Sequence, residues 1–122
     1  MRKQNVTSFA GVPYTYEMLK RLRFFRMDLP ALHTLTQAGG KLDPEIHREF
    51  AEYAAAQGKS FVVMYGAAEA TARMGYLAAQ DAVRKTGAMG LAIPGGRFEL
   101  CDDAGAVITA EDRNGELIYY GA

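Results

Sequence analysis

From Ser60 to Tyr65 the chain reads Ser-Phe-Val-Val-Met-Tyr, an apolar run that stops at Gly66. It is too short for a helix and lacks polar alternation, which is the pattern of a strand covered on both faces in an α/β sheet. Such a strand needs neighbours and helices to cover it. With 49% hydrophobic and 23% charged residues, the 122-residue chain has enough apolar side chains for one core and falls outside the disordered class.

The segments around this strand supply the cover. From Tyr14 to about Arg26 the apolar positions Tyr14, Met18, Leu22 and Phe25 recur at helical spacing, with Lys20, Arg21 and Arg23 opposite. This helix should stop before Asp28-Leu29-Pro30, because the residue preceding a proline is pushed out of helical backbone. A second helix has stronger signals: Asp43 as cap, Pro44 at the first position, Glu45 at the positive end of the dipole and Gly58 as a left-handed stop. Its inner face would be Ile46, Phe50, Tyr53, Ala54 and Gln57, with Arg48 and Glu52 paired outside.

Residues 5–12 read as a short strand or extended segment, and residues 32–37 as a strand running into Gly39-Gly40. Strands alternating with helices predict a two- or three-layer α/β arrangement. Beyond Glu69 the signals weaken. Residues 78–84 allow a turn or two of helix, and glycines and Pro94 punctuate an irregular passage from Gly87 to Gly96. Arg97 to Cys101 alternates as a strand, Asp102 to Gly105 forms a turn, Ala106 to Thr109 reads as the partner strand, and Glu116 to Tyr120 as a last strand. The predicted class is α/β, with a mixed sheet, two main helices and a C-terminal β-rich portion.

Fourteen basic residues balance fourteen acidic ones, so no overall field favours nucleic acid or an anionic membrane. Lys20, Arg21, Arg23 and Arg26 read as the solvated face of a helix. No apolar stretch follows the basic N-terminus and no run approaches the ~18 residues of a membrane span, so the chain is expected to be neither secreted nor inserted. The lone Cys101 fits packing in a reducing, cytoplasmic compartment. His33 and His47 have no partners at zinc spacing, Asp102-Asp103 belongs to a turn, and Met64, Met74 and Met89 are gap-filling core residues.

One step carries a chemical logic. Tyr65 at the end of a buried strand offers a stacking face, Gly66 lets backbone approach a ligand, and Glu69 offers an oxygen to a divalent cation. Ligands of open α/β sheets collect beyond the carboxyl ends of strands, where Gly39-Gly40 would provide a second loop. Each feature alone is equally what a plain turn produces; the pairing is what points to a site.

Thr36-Gln37-Ala38-Gly39-Gly40, Met64-Tyr65-Gly66-Ala67-Ala68-Glu69-Ala70-Thr71, Gly87-Ala88-Met89-Gly90 with Ile93-Pro94-Gly95, and Gly115-Glu116-Leu117 with Gly121 follow one another in this order. In this series the chain resembles the AMP-forming adenylating enzymes: acyl- and aryl-CoA synthetases, luciferases and nonribosomal adenylation domains. The resemblance spans nearly all of these residues and covers the central part of the family's longer enzymes. It implies that Gly39 and Gly40, with Ala38, line the adenine and acyl pocket. Tyr65 would stack on adenine beside Gly66, and Glu69 would coordinate the Mg²⁺ that accompanies ATP. Gly11 and Val12 resemble the family's segment ahead of a helix near the acyl pocket. In such enzymes a carboxylate attacks the α-phosphate of ATP, and a thiol, often CoA, then takes the acyl group.

The departures matter as much. The family's motif reads Tyr-Gly-x-Thr-Glu and its threonine serves the AMP phosphate, whereas Ala68 has no hydroxyl to donate. These 122 residues hold no phosphate loop with its lysine ahead of Phe9 and no Thr-Gly-Asp segment after Gly121. The C-terminal domain with its catalytic lysine is likewise outside them. The expectation is a single partial domain over residues 1–122 that is inactive alone, with the remainder of the enzyme or a homo-oligomer as partner. The alternative is a non-catalytic α/β binding or oligomerisation module that retains the fold.

Overall fold

Regular structure begins with β1 (Ser8–Gly11), α1 (Pro13–Arg21), a 3₁₀ turn (Phe24–Arg26), β2 (Thr34–Gln37), α2 (Pro44–Ala56) and β3 (Ser60–Ala67). It continues with β4 (Thr71–Leu77), α3 (Ala79–Ala82), β5 (Leu91–Ala92), β6 (Arg97–Cys101) and β7 (Glu116–Tyr120). The structure is a computed structural model that describes residue 1 and residues 4–121; Arg2 and Lys3 of the basic N-terminus lie outside them.

The first five strands form one mixed sheet in the order β1-β2-β3-β4-β5. β1, β2 and β3 are parallel, with Leu35 opposite Phe61 and Gln37 opposite Val63, and β4 and β5 add antiparallel. Parallel neighbours joined through helices need crossovers, and crossovers of one hand advancing in one direction lay both helices on the same face. The core shows this: Tyr16 of α1 stands edge-on to Phe50 of α2 (4.8 Å) and to Phe61 of β3 (5.6 Å). Leu19, Phe24, Leu35, Ala51, Ala54 and Val63 belong to the same cluster.

This arrangement corrects the expectation that β3 is covered on both faces. Phe61 and Val63 are buried under the helices, while Val62 and Met64 on the alternate face are half-exposed. Of the two layerings expected, two layers form.

α1 also departs from the sequence reading. It ends at Arg21, and Arg23 takes a left-handed conformation (φ 57°) that turns the chain so that Phe24 enters the core fully buried. The buried face is Tyr16 and Leu19; Tyr14 and Leu22, two of the positions expected inside, are 64% and 61% exposed. α2 forms as expected at both ends. Asp43 accepts hydrogen bonds from the Glu45 and Ile46 amides, and Gly58 (φ 64°) closes the helix. Lys59 N–H donates to the Ala54 carbonyl and Gly58 N–H to that of Ala55, the Schellman pattern. Its buried face is His47, Phe50, Ala51 and Ala54, so His47 takes an inner position and Gln57 is exposed. The predicted Arg48–Glu52 pair does not form; Glu49 instead pairs with Lys20 of α1 at 3.0 Å.

β3 does not end at Gly66. The strand runs through it to Ala67, with a register irregularity between Tyr65 and Ala67, and returns as β4. A Cβ at Gly66 would lie 2.2 Å from the Ala72 carbonyl oxygen, so the close hairpin requires glycine there.

In the C-terminal portion β6 and β7 pair over their full length. The partner expected for β6 at Ala106 to Thr109 contributes only a bridge from Val107 to Cys101, because Asp102 collects the Ala104 and Ala106 amides into a tight turn that leads away. Phe98 of β6 packs over Gly75 of β4, where a Cβ would come within 2.7 Å of its ring. Among the described residues no helix is long and apolar enough to cross a membrane.

Candidate functional site

At the carboxyl ends of β2 and β3 the described residues enclose a cavity of about 350 Å³. That is within the range of small-molecule sites. One wall is the loop Gly39-Gly40-Lys41-Leu42, the floor is Val63, Met64, Tyr65 and Gly66, and the second wall is Gly87-Ala88-Met89. Gln37 and His47 line it from beneath.

Each wall is held by a buried polar side chain. Gln37, fully buried, donates from Nε2 to the carbonyls of Gly40 (2.8 Å) and Ala38 (3.2 Å), tying down the loop after β2. Two acceptor carbonyls fix which end of the amide points there, and Oε1 is left buried with no partner among the described residues. The loop needs this tether because Gly39 (φ 79°) and Gly40 (φ 151°) adopt conformations that other residues rarely take. His47, 1% exposed, places Nε2 at 2.9 Å from the Ala82 carbonyl, and its Nδ1 accepts the Gly87 amide at 3.2 Å. The Ala82 carbonyl can only accept and the Gly87 N–H can only donate, so the ring is neutral with its proton on Nε2. Burial also pushes its pKa below the usual histidine value.

Tyr65 is half-buried at the cavity, and its ring stands edge-on to Phe98 at 6.1 Å. Phe98 in turn meets Tyr119 at 5.3 Å, so the small second sheet braces the tyrosine from the side.

Of the positions singled out in the sequence, Gly39, Gly40, Tyr65 and Gly66 come together at this cavity. Gly11, Val12 and Ala38 lie just behind it: the Gly11 carbonyl accepts the Ala38 amide at 3.1 Å, and Val12 supports the loop beneath Gly39. Ala68 and Glu69 are exposed in the β3–β4 turn and do not line the cavity. Sequence reasoning missed Gln37 and His47. A polar residue closing an apolar strand and a histidine one position after the expected inner Ile46 were the available signals.

The family model of AMP-binding enzymes matches residues 1–122. The chain belongs to the AMP-binding enzyme family. No curated protein matches it. Solved structures share the fold, among them the N-terminal domain of FACL13 from Mycobacterium tuberculosis, 21% identical with a TM-score of 0.75. o-Succinylbenzoate CoA synthetase (MenE) from Bacillus subtilis, in complex with the acyl-adenylate intermediate OSB-AMP, is 19% identical with a TM-score of 0.80. VinN is 23% identical with a TM-score of 0.78. All three cover 98% of this chain, which spans 29%, 23% and 30% of their respective lengths.

The groups that the resemblance implies are a nucleotide and a divalent cation. The cavity, with a glycine loop on one side and an aromatic ring on another, fits a flat base. For the metal, no cluster of three His, Cys, Asp or Glu among the described residues could hold an ion by itself. Mg²⁺ characteristically takes one or two carboxylates together with substrate phosphates and water, and Glu69 is a single exposed carboxylate in the β3–β4 turn.

Proposed function

We propose that these 122 residues form the central portion of the large domain of an adenylate-forming acid–thiol ligase, and that the cavity between the Gly39 loop and Tyr65 receives the adenine of ATP. The observation that carries this reading is the convergence of Gly39, Gly40, Tyr65 and Gly66 on one cavity in a chain of the AMP-binding family. In the parent reaction a carboxylic acid is activated as an acyl-adenylate with release of pyrophosphate and passes to a thiol such as CoA. Tyr65 stacks on the base, the backbone of Gly39 and Gly40 borders it, and Glu69 supplies one oxygen to the Mg²⁺ that neutralises the phosphates. Gly11, Val12 and Ala38 support the acyl side of the loop.

Adenosine titration followed by calorimetry and by NMR tests the base site. Wild-type chain should bind, with amide shifts at Gly40 and Tyr65, and Tyr65→Ala should weaken binding about tenfold or more, as lost stacking does. Unchanged spectra at millimolar adenosine would remove the reading. The phosphate loop and catalytic lysine are not among these residues, so pure 122-residue chain should give no ATP–pyrophosphate exchange.

A second reading, an oligomerising module, is favoured by the open edge of β1 and by exposed Tyr14, Leu22 and Leu91. In the first reading the remainder of the enzyme covers these; in the second, another copy does. Sedimentation at several concentrations separates them, since only the second gives a concentration-dependent dimer without nucleotide binding. Buried, unpaired Cys101 is consistent with the cytoplasmic location proposed for either.

A further inference from the structure

We infer that His47 is the positioning residue of the cavity: its neutral ring clips the Gly87-Ala88-Met89 wall to α2, and ring protonation releases that wall and weakens ligand binding. The inference rests on the nucleotide-site reading only for the identity of the ligand; the clip itself stands on geometry. The ring is 1% exposed and uses both nitrogens, donating to Ala82 at 2.9 Å and accepting from Gly87 at 3.2 Å. An imidazolium has two donors and no acceptor, so it cannot keep the Gly87 bond, and two N–H groups would face each other. Gly87 (φ 84°) is the first residue of the wall that this bond holds.

No charged neighbour offsets that loss. On the elements around the ring the ionisable groups are Lys41 on the glycine loop, Tyr65 at the end of β3, Asp81, Arg84 and Lys85 on and after α3, Asp43 at the cap of α2, and Glu45, Arg48, Glu49, Glu52 and Tyr53 on α2. Asp81 is bonded to Arg84 at 2.6 Å, Glu49 to Lys20 and Asp43 to its own helix amides. No carboxylate contacts the imidazole among the described residues. The ring also stands edge-on to that of Phe61 at 5.6 Å, which is apolar. The lowered pKa agrees, its first cause being burial.

Two measurements on the whole chain decide the matter. In a ¹⁵N NMR titration without ligand, the His47 ring should show the Nε2–H tautomer. It should protonate below the ordinary histidine value, and the Gly87 and Ala88 amides should move with the same midpoint. Adenosine is the binding probe, because it carries no phosphate that titrates in the same range. Its affinity should fall at least about fivefold once the ring is protonated, with a midpoint matching the ring; His47→Gln, which keeps a donor and an acceptor but does not titrate, should be nearly flat. A ring that titrates normally with the Gly87 amide unmoved would refute the clip, and parallel loss of affinity in wild type and His47→Gln would refute its role in binding. Absence of adenosine binding together with the expected ring titration would instead count against the base site and against a role for the clip in binding it, leaving the clip's geometry intact.

Discussion

Tyr16 is the side chain on which the core turns. Fully buried, it touches Phe9, Phe50 and Phe61 with its ring while its hydroxyl donates to the Thr36 carbonyl at 2.7 Å. Burial holds the phenol well above its usual pKa, so the hydroxyl remains a donor at any ordinary pH. Tyr16→Phe removes this bond, which should cost about 1 kcal/mol in urea denaturation. Tyr16→Ala adds a cavity and should cost about 3–5 kcal/mol. Ala68 is the corresponding position for chemistry. If the proposed ligase reading holds, Ala68→Thr in a chain carrying the remaining family segments restores a donor to a phosphate oxygen. At about 1.5–3 kcal/mol for a charge-assisted bond, adenylation measured by pyrophosphate exchange should rise about tenfold or more. No gain would mean that the hydroxyl does not matter here.

At the scale of elements, α2 was legible because its ends are set by local chemistry. Cap, proline and glycine act within a few residues of themselves, and the structure has all three where they were expected. Asp43→Ala should therefore destabilise the fold by about 1 kcal/mol, visible as a lower Tm. The β3–β4 hairpin was not legible. Thr71 to Leu77 contains Arg73 and Gly75 and alternates poorly, and it becomes a strand because Met64 and Tyr65 across from it supply ladder partners. Gly66→Ala puts a methyl against the Ala72 carbonyl and should loosen the hairpin, with faster amide exchange in β4 than in α2. The inner face of α1 was misread for a related reason. Both Tyr14/Met18/Leu22 and Tyr16/Leu19 fit helical spacing, and only contact with Phe50 and Phe61 selects the second.

For the molecule as a whole, His47 links stability to pH. The unfolded ring titrates near 6.5 and the folded ring lower, so the unfolded chain binds the extra proton. This contribution to stability is complete above pH 6.5 and is lost as pH falls through that value toward the folded pKa. Denaturation midpoints from pH 8 to pH 5 should decline over this range, and His47→Gln should remove part of the slope. An equal slope in both would place the titration elsewhere. Four of the candidate site positions, Gly39, Gly40, Tyr65 and Gly66, could be read from the sequence because strand ends and glycine loops mark where α/β sheets open. Gln37 and His47 could not, since a buried polar side chain has meaning only through carbonyls and amides distant in sequence, as with Ala82 and Gly87.

The sequence by itself determined the α/β class, the second helix with its caps, the main strands and the family, all of which depend on spacing and on short-range backbone chemistry. The tertiary structure alone decided the number of layers, the face that α1 buries, the return of β4 and the identity of the side chains that hold the cavity walls. Those depend on which partners a residue meets across the sheet, and periodicity carries no information about distant partners.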